Sequence, residues 1–145
     1  MYRHILIPTD GSQLSELAIR QGIKLAKSIN ARVTAITVFA PFHTIAIEPT
    51  MITNTAEQYQ KECDALGEKY LRVVKDAAKA ADVPCEVIRV IHDHPYQAII
   101  ETANTRGCDL IFMASHGRRG MAALVLGSET TKVLTHTRIP VLVCR

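Results

Sequence analysis

Gly117, Gly127 and Ser128 are the residues of this 145-residue chain whose types and spacing could do chemistry together. They lie in the stretch CDLIFMASHGRRGMAALVLGS, from Cys108 to Ser128. Its short apolar run, Leu110-Ile111-Phe112-Met113, reads as a strand buried on both faces. A Ser-His-Gly turn follows, and Gly127-Ser128 opens a helical pattern. Strand, glycine-bearing loop and helix start are the parts from which backbone N–H groups converge on a phosphate. Glycine accepts φ > 0 and has no Cβ to hold a ligand off the backbone. Ser128 can serve as N-cap or as a phosphate donor at the positive end of the new helix. The alternative is an ordinary strand-to-helix connection whose glycines only make turns.

Other candidates are weaker. His116 could act as a base near Asp10 and Ser128, but the reading we favour is a turn residue satisfied by backbone. No paired carboxylates or second metal-ligand set accompany it, as a dedicated phosphoryl-transfer site requires. No catalytic residue is therefore assigned. One of Arg118 and Arg119 is expected to touch phosphate, the other to solvate the loop. His92-Asp93-His94 places two imidazoles beside a carboxylate. Consecutive residues seldom converge on one ion, and Pro95 at a first helical position makes them caps instead. GxxxxGK[ST] and GxGxxG are both missing, as is the Ser-Gly-Gly-x-Asp-Ser loop of ATP pyrophosphatases.

Composition sets the frame. With 48% hydrophobic and 21% charged residues, the chain is ordinary globular material of one-domain length. A net charge of +3 with no basic run beyond Arg118-Arg119 gives no footprint for nucleic acid. No apolar run approaches the roughly 18 residues of a membrane span, and MYRHILIPTDGS turns polar too soon for a signal peptide. A cytoplasmic protein is expected. The four cysteines lack CxxC spacing and read as free packed thiols.

The elements that must position these residues follow from periodicity. Strands are expected at His4–Pro8, Arg32–Phe39, Glu86–Ile91, Leu110–Met113 and Pro140–Cys144. Asp10 or Ser12 caps a first helix with an apolar stripe of Leu14, Leu17, Ala18, Leu25 and Ala26, stopped at Asn30. A loop from Ala40 to Thr53, marked by Pro41 and Pro49, precedes a long helix. Its stripe is Ala56, Tyr59, Cys63, Leu66, Tyr70, Val73, Ala77 and Ala80, read as core. A third helix packs with Ile99, Ile100 and Ala103 and ends at Gly107, and a fourth runs from about Ser128 to Thr135. Strict strand–helix alternation predicts a parallel sheet covered on both faces, with ligands beyond the carboxyl ends of its strands where the winding reverses. That places Asp10 beside the glycine loop.

Over its whole length the sequence resembles the universal stress protein family, through ILIPTDGS, DLIFMASHGRRG and the terminal RIPVLVCR. The ATP-binding branch of that family carries G-x-x-G, nine residues, then G-[S/T]. Gly117, the nine residues Arg118 to Leu126 and Gly127-Ser128 fit its later parts, while Ala114 stands at the first glycine. Alanine there either crowds a ligand or is tolerated where φ is negative. The resemblance implies one Rossmann-like α/β domain over residues 1–145: a doubly wound five-stranded parallel sheet in the order 3-2-1-4-5. It implies that Pro8, Thr9 and Asp10 border the ribose and adenine of ATP, with Asp10 also reaching Mg²⁺. Val38 would line the adenine pocket, with Met113 and Ala114 close by. His116, Gly117, Arg118, Gly127, Ser128 and Glu129 would surround the phosphates. A homodimer would pair through Val141, Leu142 and Val143. The function implied is nucleotide sensing or regulation in stress response. The alternatives are a dimer that binds partners and no nucleotide, or a weak ATPase.

Overall fold

Strand β1, His4–Pro8, lies at the centre of a five-stranded parallel sheet in the order β3-β2-β1-β4-β5. The computed structural model describes residues 1–42, 55–118 and 125–145. Arg119, Gly120, Pro49 and most of the expected loop from Ala40 to Thr53 lie outside the described residues. The remaining strands are β2 (Arg32–Phe39), β3 (Cys85–Ile91), β4 (Leu110–Ala114) and β5 (Val141–Cys144). Between them run α1 (Gln13–Ile29), α2 (Ala56–Ala80), α3 (Pro95–Arg106) and α4 (Ser128–His136). The expected doubly wound, Rossmann-like α/β architecture is the one observed.

Side-chain alternation along the buried strands divides the core in two. Ile5 and Ile7 of β1 pack with Leu110, Phe112 and Ala114 of β4 beneath α1 and α2. Leu6, Ile111 and Met113 face the other way, under Ile99 and Ala103 of α3 and Val133 of α4. Ser12, not Asp10, is the N-cap of α1, its hydroxyl accepting from the Ser15 N–H at 3.2 Å. Asn30 (φ 57°) and Gly107 (φ 67°) end α1 and α3 in the left-handed conformation, as expected.

Both long helices keep part of their expected faces, with Ala18, Ala26 and Cys63 buried and Leu14, Leu25, Val73 and Ala77 packed against the core, but their fully buried stripes are centred on neighbouring residues. α1 buries Ser15, Ala18, Ile19, Gly22, Ile23 and Ala26, leaving Leu17 exposed. α2 buries Cys63, Gly67, Leu71, Val74 and Ala78, leaving Leu66 exposed and Tyr70 half-buried. In α2 the two stripes Tyr70-Val73-Ala77 and Leu71-Val74-Ala78 have the same spacing. Only the sheet beneath selects between them.

His4 enters the core at the amino end of β1, 6% exposed, with its Nε2 2.7 Å from Thr34 Oγ1. Burial, helped by the nearby Arg32 charge, holds its pKa below the ordinary 6.5. The unfolded chain therefore binds the proton first. This neutral imidazole contributes stability that is complete above about pH 6.5 and lost as the pH falls toward the folded value. We expect urea unfolding at pH 7.5 and 5.5 to show a larger drop for the wild type than for His4→Gln; equal drops would remove His4 as the cause.

Candidate functional site

The turn after β1 and the loop after β4 meet at the carboxyl edge of the sheet, because β1 and β4 are paired neighbours there. Their junction is the Asp10 carboxylate. Oδ1 accepts from the Ser12 N–H at 3.0 Å, and Oδ2 accepts from the Arg118 N–H at 2.8 Å across 108 residues of sequence. Burial pushes the Asp10 carboxyl upward, but hydrogen bonds from Ser12 and Arg118 outweigh it and leave the pKa below the ordinary 3.8. The carboxylate is thus ionised and already engaged on both oxygens.

Gly117 is a glycine because of this junction: a Cβ there would stand 2.5 Å from Asp10 Oδ2. At Gly127 a Cβ would come within 3.2 Å of both His116 Cα and the Ser115 carbonyl, tighter than side chains ordinarily pack. Gly127 closes the loop by donating its N–H to the Ser115 carbonyl at 2.8 Å, and Ser115 is held by the Cys144 carbonyl of β5 at 2.8 Å. Thr130 of α4 ties the same region to the strand, its hydroxyl donating to the Ala114 carbonyl at 3.0 Å.

α4 begins here without a side-chain cap. Gly127 is its N-cap and Ser128 its first helical residue, so Ser128 does not cap the helix. Beside this terminus, His116 Nδ1 bonds the Ser115 hydroxyl at 2.9 Å, while its Nε2 is buried with no partner among the described residues. His116 is therefore not the backbone-satisfied turn residue expected. A buried donor or acceptor left open costs about 1–3 kcal/mol. Free N–H groups at a helix start are of the kind that can receive an anion.

The remaining expected residues gather at the same edge with one reassignment. Pro8 ends β1 and Thr9 follows it, Val38 lies near the end of β2, and Met113 and Ala114 end β4. Ala114 is buried with its methyl in the cluster containing Ile7 and Phe112. Its φ is not positive, so alanine here is unstrained. The Glu129 carboxylate accepts from the Tyr96 N–H at 2.9 Å and pairs with Lys132 at 3.3 Å. It caps α3, so only the Glu129 backbone is available to a phosphate. Of the expected caps, His94 stands at the N-cap of α3 without a side-chain capping bond, while His92 Nδ1 accepts from the His94 N–H at 2.9 Å.

Among the described residues no group of three or more His, Cys, Asp or Glu could hold a metal ion. A cation at Asp10 would take one carboxylate from the protein and its other ligands from phosphate and water, which suits Mg²⁺. The four cysteines are free, and burial pushes the Cys85 and Cys108 thiols up to about 11, which rules them out as ready nucleophiles. A hollow of about 620 Å³ lies at the opposite, amino edge, lined by Arg3, His4, Asn30, Arg32 and Asp109. α1 and α3 end there, so this edge presents helix carboxyl ends and no free helix N–H groups to an anion.

Tyr70, Phe39, Ser115 and Thr130 were not among the expected site residues, and Tyr70 was expected in the core. Tyr70 stacks on Phe39 with centroids 6.2 Å apart, and the Arg118 guanidinium lies 5.3 Å from its ring centre. The available signal was Gly11: its φ of +77° and lack of a side chain leave room for the Tyr70 ring.

A doubly wound parallel sheet in the order β3-β2-β1-β4-β5 with helices on both faces defines the class of small Rossmann-like α/β domains. The family model of the universal stress protein family matches residues 1–145, and the chain belongs to that family. It is 32% identical over 147 residues to universal stress protein MJ0531 of Methanocaldococcus jannaschii, covering 100% of this chain and 83% of that one. The solved structure of protein MJ0577 aligns with a TM-score of 0.79 at 25% identity, covering 99% of this chain and 95% of that one. A universal stress protein solved in complex with cAMP aligns at 0.72 and 25% identity, covering 99% and 97%. No helix among the described residues is long and apolar enough to cross a membrane.

The Asp10 junction is testable through acid stability. Its folded pKa lies below the ordinary 3.8, so its contribution is complete above that value and disappears as the pH falls through the folded pKa. Asp10→Asn turns one acceptor into a donor facing an N–H. We expect it to cost roughly 1–3 kcal/mol at pH 7 and to flatten the acid limb of the stability curve. Urea titrations from pH 7 to 3 measure both, and an unchanged midpoint at pH 7 would remove Asp10 from this role.

Proposed function

We propose that this chain is an ATP-binding member of its family that works as a nucleotide-sensing or regulatory module in stress response. The uncapped start of α4, with the open His116 Nε2 beside it, carries this reading. The N–H groups of Gly117, Ser128 and Glu129 and the Ser128 hydroxyl would take phosphate, and Mg²⁺ would bridge phosphate oxygens and Asp10. Pro8, Thr9, Val38 and Met113 border the place for ribose and adenine. The packing of the Ala114 methyl into the core supports an open site in spite of the missing glycine. That a relative of the same fold is solved with cAMP supports an adenine nucleotide.

A homodimer through β5 belongs to the same proposal. β5 is a sheet edge, and Leu142 on it is 40% exposed. Its free backbone groups suit pairing with a second copy through Val141, Leu142 and Val143. Among the described residues no group of His, Cys, Asp or Glu makes up the metal set that a fast ATPase uses.

Calorimetric titration of nucleotide-free protein with Mg-ATP tests the reading. We expect binding that Gly127→Val abolishes while the far-ultraviolet circular dichroism is kept. Ser128→Ala, which leaves the backbone alone, should weaken binding roughly tenfold or more, the worth of a hydrogen bond to a charged acceptor. Absence of heat at millimolar Mg-ATP would overturn the nucleotide reading and turn attention to β5.

A further inference from the structure

Arg118 is exposed, yet its position is defined twice. Its N–H donates to Asp10 Oδ2 at 2.8 Å, and its guanidinium stands 5.3 Å from the Tyr70 ring centre. Tyr70 is itself held: it stacks on Phe39 at 6.2 Å with an interplanar angle of 14°, and its edge fills the space a side chain at Gly11 would occupy. Four segments of the chain thus fix Arg118 and the ring it faces: the β1 turn holds the Arg118 N–H, and the end of β2 packs on the Tyr70 of α2 that faces the guanidinium of the β4 loop. Among the described residues that guanidinium is matched by an aromatic face and not by a carboxylate. The ring orders the cation without neutralising it, so its charge stays available to a ligand.

Resting on the nucleotide reading above, we propose that Tyr70 positions Arg118 to read the length of the phosphate chain. The site would thereby select nucleoside di- and triphosphates over monophosphates. A first phosphate is served by the N–H groups at the start of α4. Gly117 borders this cradle, its N lying 3.8 Å from where a Cβ on Gly127 would be. Further phosphates that leave the cradle along Gly117 come to the side of the Asp10 carboxylate, where together they add more negative charge than one bridging Mg²⁺ would balance. Arg118 is the next residue in that direction and supplies the compensating charge. A monophosphate stops before reaching it.

Calorimetry with AMP, ADP and ATP, each with Mg²⁺, tests this on the wild type, Arg118→Ala, Tyr70→Leu and Tyr70→Phe. Wild type is expected to prefer ATP over AMP. Arg118→Ala keeps the N–H to Asp10 and should weaken ATP about tenfold while leaving AMP unchanged. Tyr70→Leu should weaken ATP about two- to fivefold, again without effect on AMP, and Tyr70→Phe should restore it because the ring face remains. Should Tyr70→Leu fail to fold, Arg118→Ala decides alone. Equal loss of AMP and ATP, an unmoved ratio, or a wild type indifferent to phosphate number would overturn the inference and leave nucleotide binding standing. A wild type that binds none of the three would overturn both.

Discussion

The hydrogen bond from the Arg118 N–H to the Asp10 carboxylate is the contact on which the site depends. It joins the turn after the first strand to the loop after the fourth, and three helices and three strands lie between the two in sequence. A half-buried carboxylate would ordinarily drift toward its neutral form. Here the N–H groups of Ser12 and Arg118 reverse that tendency and keep it charged. The same carboxylate dictates glycine at 117, since a methyl would displace it.

Around this junction the fold leaves polar groups open where a domain under pressure only for stability would close them. α1 is capped by Ser12, α2 by Thr55 in a capping box with Gln58, and α3 by the distant Glu129. α4 alone among these helices has a glycine cap at the carboxyl edge and no side chain to serve it. The buried His116 Nε2 next to it has no described partner. Open groups of this kind concentrate where a ligand is to supply the missing bonds. The amino edge of the same sheet holds one such group as well, the buried His4 Nδ1, but helices α1 and α3 end there and offer no free N–H groups beside it.

Much of the architecture was legible in the sequence. Short β-branched and apolar runs alternate with helical periods, and the boundaries moved by a residue or so: β3 begins at Cys85, β4 reaches Ala114 and β5 begins at Val141. Such runs are legible because strands buried on both faces tolerate few polar residues. Asn30 and Gly107 were legible because left-handed helix stops are chemically selective. The convergence of Asp10 with the glycine loop was legible from topology.

Facing directions and long-range partners were not. Periods of three and four fit both Tyr70-Val73-Ala77 and Leu71-Val74-Ala78, and only burial against the sheet decided for the second. That choice turned Tyr70 from core into the wall over Gly11 that holds Arg118. Glu129 looked like part of a phosphate cradle until the packing of α3 against α4 gave its carboxylate to the Tyr96 N–H. By itself the sequence determined which segments become strands and helices, because those depend on local period and caps. Tertiary structure alone decided which polar group meets which, because a carboxylate or a ring chooses among partners by distances that only packing sets.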